Sequence, residues 1–360
     1  MIAGQRKSNI ELLRLVLMFF ILMHHYFVRV KNAWPIIDGE SDIFASFVDP
    51  FLYVGVNCFV LISGYFGIRF RFRGLYGLFM QCAFYGLLFY LIHLYVDHAT
   101  IGRSIIYNSL LVFSMPPGWW FIRVYVFLYL LSPILNKAID RMSQSQLKLS
   151  LLILTVLNVY FGYLQQTPFN QDGYNIANFI FLYFIGRYIK LYYDEKKNHV
   201  IKYLLGYFAV SAVMGIIALY NVNSVGRGFH TILLNVYVYN NPLLIIASVF
   251  LFLVFVSIRI PSSSFINWLS VSALSIYLIT ENSYFGQLYY PFISNCIKNM
   301  SEVLSYISLV VFALITMGCC ILIDKIRRFI MIPIDRFALG VADRLDKKCM
   351  DNWYGNNGRD

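Results

Sequence analysis

Asn9-Ile-Glu-Leu-Leu-Arg-Leu-Val-Leu-Met-Phe-Phe-Ile-Leu-Met-His-His-Tyr26 is apolar and long enough to cross a bilayer, yet it carries Glu11, Arg14, His24 and His25. Charged and titratable groups are costly in hydrocarbon, so they usually face a protein interior and serve a function there. At about 100° per residue, Arg14 and His25 fall about 20° apart on one helix face. Glu11 shares that stripe, within about 40° of His25, whereas His24 points about 80–100° away. The helical rise separates Arg14 from His25 by roughly 16 Å, near opposite ends of one polar line. This geometry sets His25 on the polar stripe with Arg14 and leaves His24 off it. A plainer reading, polar residues that hold helices together, is also compatible with this helix alone.

The rest of the chain extends that membrane reading. Its 360 residues are 59% hydrophobic, 18% aromatic and only 13% charged, with a mean hydropathy of +0.64. So apolar a composition predicts an all-α, polytopic integral membrane protein. Ten candidate spans have cores at Ile10–Val28, Phe44–Phe66, Leu75–Val96, Trp119–Ile139, Leu149–Leu164, Ile176–Leu191, Tyr203–Tyr220, Leu243–Val256, Ile266–Tyr284 and Val303–Ile323. The first run is too long for a signal h-region and no small-x-small site follows it, so it is expected to stay as the first span.

A net charge of +11 invites a nucleic-acid reading, which the distribution of charge removes. With a cytoplasmic N-terminus, 23 of the 29 Lys and Arg fall on inner segments and their flanks, five on outer ones, and Arg123 within a span. That is the positive-inside pattern, with both termini cytoplasmic. The acidic Asp38, Glu40 and Asp42 fit the outer side. A transmembrane domain is expected over residues 1–328. Residues 329–360 would form a basic, amphipathic segment on anionic lipid and a polar tail. The six cysteines lack metal-ligand spacing and read as small core residues. His93, His98, His199 and His230 likewise show no ligand spacing, and no metal site is assigned.

Four further motifs stand out. Gly67-Ile-Arg-Phe-Arg-Phe-Arg-Gly74 places Arg69, Arg71 and Arg73 at period two, so an extended segment would point three guanidiniums one way. Such a fork suits phosphates, although ordinary topology also places arginines here. Gly55-Val-Asn-Cys-Phe-Val-Leu-Ile-Ser-Gly-Tyr65 mixes small and polar residues suited to close helix packing. Pro116-Pro-Gly-Trp-Trp-Phe-Ile-Arg123 brings Trp119 and Trp120 to a span entrance, as an interfacial belt or as a platform for a sugar, with Arg123 deeper in the span. Ser275-Ile-Tyr-Leu-Ile-Thr-Glu-Asn282 buries Glu281, whose obvious partners are Arg123 or His25.

Together these residues resemble the membrane-bound family often called acyltransferase family 3, whose members commonly O-acetylate bacterial surface polysaccharides. The resemblance runs from Arg6 to about Arg328. Its most specific element is an arginine and a histidine separated by ten residues, here Arg14 and His25. Gly55 to Tyr65, Arg69 with Arg71, Trp119 with Trp120, Tyr129 to Asn136, and Ile276 to Ile279 match in order. One departure is Thr280, where related sequences often carry a histidine. That puts a catalytic role for this position in doubt and leaves Glu281 as the nearby polar group.

The resemblance implies acetyl-CoA as the donor, bound from the cytoplasm, and a glycan or lipid-linked saccharide hydroxyl as the acceptor. Arg69 and Arg71 would grip nucleotide phosphates, Arg14 would meet the donor arm or hold the helix stripe through Glu11, and Trp119, Trp120 and Arg123 would face the acceptor. His25 would act as general base or as an acylated nucleophile, with Glu281 beside it, so its replacement should abolish transfer while replacement of His24 is tolerated. The implied location is the inner membrane of a bacterium. A lipid-linked glycan flippase is the alternative, and a structural membrane protein or a glycan polymerase stands further off.

Overall fold

The computed structural model describes residues 7–34, 41–96, 119–194, 199–224 and 235–350. Asp38, Glu40, His98, Arg103, Pro116–Gly118, Lys196, Lys197, Arg227, His230 and the 351–360 tail lie outside them. The described residues form helices and no strand. In chain order these are α1 (Ser8–Arg29), α2 (Ile43–Leu52), α3 (Gly55–Phe66), α4 (Phe72–Val96), α5 (Trp120–Ile139) and α6 (Gln144–Thr155). Then follow α7 (Ile176–Tyr192), α8 (Val200–Ser224), α9 (Pro242–Ser257), α10 (Ser264–Ser270), α11 (Ala273–Thr280), α12 (Ser283–Ile297) and α13 (Glu302–Leu345). A π-helix over Val156–Leu164 extends α6.

Local sequence sets many of the helix starts. Asp42 accepts from the Ala45 amide, Asn175 from Ala177 and Asn178, Asn241 from Leu243 and Leu244, and Asn282 from Tyr284 and Phe285. Each side chain satisfies amides that the first turn leaves unpaired. Ser143 and Gln146 close a reciprocal capping box on α6.

Among the described residues, seven helical stretches are long and apolar enough to span a bilayer: Ser8–Arg29, Ile43–Phe66, Phe72–Val96, Trp120–Ile139, Gln144–Leu164, Val200–Asn221 and Glu302–Asp335. All ten expected segments are helical, but three fall short of the roughly 20 residues a span needs. α7 has 17 residues and α9 has 16. The segment Ser264–Thr280 is interrupted between α10 and α11. The protein is therefore a multi-pass, all-helical membrane protein, with seven full-length candidate spans among the described residues.

α1 lies between two apolar clusters. Its N-terminal half gives Ile10, Leu13 and Leu17 to a core shared with α3, α5, α7 and α9. Its C-terminal half gives Met18, Leu22, Tyr26 and Phe27 to a second core shared with α4, α11, α12 and α13. Within the first core α3 and α7 approach backbone to backbone. A Cβ on Gly64 would sit 2.3 Å from the Tyr183 carbonyl oxygen, and one on Gly186 would sit 2.4 Å from that of Leu61. Small residues are what permit such an approach. Within the second core α13 braces the break between α10 and α11. Arg327 Nε and Arg328 Nε donate to the two oxygens of the buried Asp324 at 2.8 and 2.7 Å, and Arg328 Nη2 donates to the Val271 carbonyl at 2.8 Å. α13 runs unbroken through position 328 to Leu345.

Candidate active site

The two cores meet around a cavity of about 300 Å³. α1 supplies Arg14, Met18, Ile21, His24 and His25 to its wall; α3 supplies Val56, Phe59, Ile62 and Ser63; α5 supplies Trp120, Phe121, Ile122 and Tyr125. Tyr53, Tyr239, the α10–α11 break and Glu281 complete it. Because Arg14 and His25 both line it, the cavity follows α1 for roughly 16 Å. Two residues of the stripe read from the sequence, Arg14 and His25, thus line one chamber, while Glu11 lies off its wall.

The chemistry converges on Glu281, which follows the last turn of α11 and is 4% exposed. His25 Nε2 lies 3.1 Å from Oε1. Arg29 Nη2 donates to Oε2 at 2.8 Å, and Tyr290 Oη donates to Oε1 at 3.2 Å. Arg29 and Tyr290 donate to one carboxylate, with His25 Nε2 at ion-pair distance, which suits a buried charge that must be paired and hydrogen-bonded. Beside an ionised Glu281 the favoured His25 tautomer carries its proton on Nε2, which leaves the lone pair on Nδ1. Of the two partners expected for Glu281, His25 is present; the second is Arg29 rather than Arg123. Arg29 stacks its guanidinium 4.6 Å from the centre of the Tyr290 ring.

His24 points to another face of α1, yet the cavity wraps far enough to include it. His24 Nδ1 is 2.8 Å from Oδ1 of Asp49, a residue of α2 with no exposed surface. Trp34 Nε1 donates to the other oxygen of Asp49 at 3.2 Å. The two histidine rings lie 5.0 Å apart. Asp49 and Arg29 are the residues that motif reading passed over. Asp49 is a lone carboxylate in an apolar span, which is itself a signal, and Arg29 follows His25 by one turn.

At the other end of the chamber Arg14 Nη1 approaches the buried Glu11 at 4.0 Å. Arg14 Nε is buried without a hydrogen-bond partner among the described residues. Trp120 lines the wall and sits in an aromatic group with Tyr174 at 4.5 Å and Tyr239 at 5.1 Å; Tyr239 in turn stacks on Tyr53 at 4.7 Å. Trp119 is buried in the second core and is not part of the wall, and neither is Arg123. Thr280, at the position where related sequences carry a histidine, turns its hydroxyl back to the Ile276 carbonyl at 2.9 Å.

Arg69 and Arg71 do not line the chamber either. They occupy an irregular segment between α3 and α4, with Arg69 exposed. Arg73 departs from the expected three-arginine fork because α4 has already begun there, and it pairs with Asp343 at 3.1 Å. The segment is held from α5. Tyr129 Oη accepts from the Arg71 amide and donates to its carbonyl, both at 3.0 Å, while Asn136 Nδ2 donates to the Ile68 carbonyl at 2.8 Å.

The family model described as an acyltransferase domain matches residues 7–325, nearly the whole chain. The chain belongs to acyltransferase family 3. No individual curated protein and no solved structure matches it. Membership makes this acyltransferase a multi-pass membrane enzyme whose transfer needs an acyl donor and an acceptor. The matched region contains α1 to α12 and the spanning part of α13, and with them every cavity residue of the acyltransferase.

Proposed function

We propose that this acyltransferase moves an acetyl, or longer acyl, group from a cytoplasmic acyl-CoA to a sugar hydroxyl of a surface or lipid-linked glycan at a bacterial inner membrane. The observation that carries the reading is the pairing of His25 with the buried Glu281 at 3.1 Å, in a chamber that also takes in Arg14. The thioester arm would extend along α1 from Arg14 toward His25, with Arg69 and Arg71 gripping the nucleotide phosphates at the inner mouth. Trp120 and its tyrosines offer flat apolar faces suited to a sugar ring, and Trp119 and Arg123 would support that end from behind.

The transfer balances without a metal. The hydroxyl oxygen attacks the thioester carbonyl, and its proton passes to His25 Nδ1. The C–O bond forms, the C–S bond breaks, and the thiolate recovers a proton. General base catalysis of this kind contributes about 10²–10⁴-fold. The same lone pair serves if the acyl group first rests on His25; labelled acetyl retained on the protein without acceptor would favour that route.

The deciding experiment is the O-acetyl content of surface glycan, measured by NMR, in a deletion strain complemented with wild type or His25→Ala at matched expression. Acetyl signals are expected with wild type alone. Equal restoration by both would remove His25 from the chemistry. A glycan transporter would show no dependence on His25 and no acetylated product.

A further inference from the structure

The cavity wall carries two histidine–carboxylate pairs, and the pair containing His24 has no role in the transfer as written above. His24 Nδ1 meets Asp49 at 2.8 Å, and Trp34 meets the same carboxylate at 3.2 Å. The remaining ring nitrogen of His24, Nε2, has no protein partner among the described residues, and the ring lines the chamber. Such an arrangement fixes the ring and leaves one nitrogen for chemistry.

The two pairs differ in charge. Glu281 already has a cation, Arg29, at 2.8 Å, so a neutral His25 completes a neutral group. Among the described residues Asp49 has no lysine or arginine at ion-pair distance; its partners are His24 and Trp34. A protonated His24 is what neutralises it, and an uncompensated charge in a water-poor interior is costly. The groups facing His24 are Asp49 from α2, Tyr53 beyond it, Tyr237 against Trp34, and His25 with Glu281.

We infer that His24 is the proton donor of this chamber and that His25 is the proton acceptor. This rests on the acyltransferase reading of the site. His25 takes the hydroxyl proton as the C–O bond forms, and His24 Nε2–H delivers its proton to the departing thiolate as the C–S bond breaks. The proton on His25 then passes to His24 through the chamber, across rings 5.0 Å apart, and restores the starting state. Atoms and charge balance with no further reactant.

The test uses full-length protein in native membranes with acetyl-CoA as the probe. The rate of CoA release is followed from pH 5.5 to 9, with His25→Ala membranes subtracted as background. Wild type is expected to give a bell-shaped profile, with an alkaline limb reporting loss of the proton donor. His24→Gln should lower the rate about 10²-fold, leave the KM for acetyl-CoA within about twofold, and abolish the alkaline limb. Asp49→Asn, which keeps the shape and removes the charge, should move that limb to lower pH. A folded His24→Gln protein with the wild-type rate overturns the inference. So does one whose rate falls while the profile keeps its shape, since that is a structural effect. If His24→Gln does not fold, an unmoved alkaline limb in Asp49→Asn overturns it as well. Wild-type membranes that release no more CoA than His25→Ala membranes would instead remove His25 from the chemistry, and with it the reading of the site on which this inference rests.

Discussion

Arg29 Nη2 stands 2.8 Å from Glu281 Oε2, one turn of α1 beyond the histidine that shares the carboxylate. The spacing of His25 and Arg29 on one helix therefore defines where Glu281 must lie, and Glu281 in turn orients the imidazole. Glu281→Gln keeps the shape but lacks the charge that stabilises an imidazolium. Its transfer rate should fall about 10²-fold or more with little change in donor KM. Removing a partner of a buried charge also destabilises, by about 1–3 kcal/mol. Arg29→Ala should reproduce part of both effects. Glycan O-acetylation and thermal unfolding in detergent separate the two, and a Glu281→Gln protein with full activity would dissolve the pair.

The approach of α3 to α7 can be tested without reference to chemistry. Gly64→Ala would place a Cβ 2.3 Å from the Tyr183 carbonyl oxygen, so the helices must part. Overpacking of this kind costs about 1–3 kcal/mol. A Cβ on Gly77, on α4, would meet nothing within 4 Å, and Ala there should be neutral or stabilising by about 0.5–1 kcal/mol. Unfolding midpoints of the two variants should move in opposite directions. A Gly64→Ala protein as stable as wild type would mean that α3 and α7 are further apart than described.

Much of this arrangement was legible in the sequence because helix periodicity is rigid. Arg14 and His25 were placed on one face by counting, and they do share one wall. Glu281 was marked as needing a partner by its apolar surroundings. What counting could not reach were contacts set by tertiary packing. Arg29 reads as a loop-flanking cation until α11 and α12 bring Glu281 and Tyr290 against it. Asp49 is visible as a carboxylate in an apolar run, but its partner emerges only when α2 packs against α1. The break at Val271 has no glycine or proline to announce it; Arg328 takes the Val271 carbonyl from outside. Three of the ten apolar runs look like spans by hydropathy, yet their helices are too short or interrupted.

Adjacent tryptophans should behave differently. Trp120 lines the chamber and meets Tyr174 and Tyr239, whereas Trp119 is 2% exposed and faces the second core. Trp120→Ala should weaken use of the acceptor while the protein still unfolds near the wild-type temperature. Trp119→Ala should cost about 3–5 kcal/mol of stability through the cavity it leaves. Purified protein titrated with isolated surface glycan, beside thermal unfolding, gives both readouts. The opposite pattern would exchange the roles of the two rings.

The hydroxyl of Tyr129 bonds both the amide and the carbonyl of Arg71, and Asn136, seven residues along α5, holds Ile68. Two turns of one helix thereby set the path of the segment that carries Arg69 and Arg71. If those arginines grip donor phosphates, the hydroxyl acts on donor binding alone, since it lies outside the chamber where bonds change. Tyr129→Phe removes one oxygen and keeps the ring. It should raise the KM for acetyl-CoA several-fold, in the direction of Arg71→Ala, and leave kcat within about twofold. The two changes together should add to little more than the larger one, because they disturb the same segment. An equal loss of kcat would place Tyr129 in the transfer step, and an unchanged KM in both variants would leave these arginines as determinants of membrane orientation only.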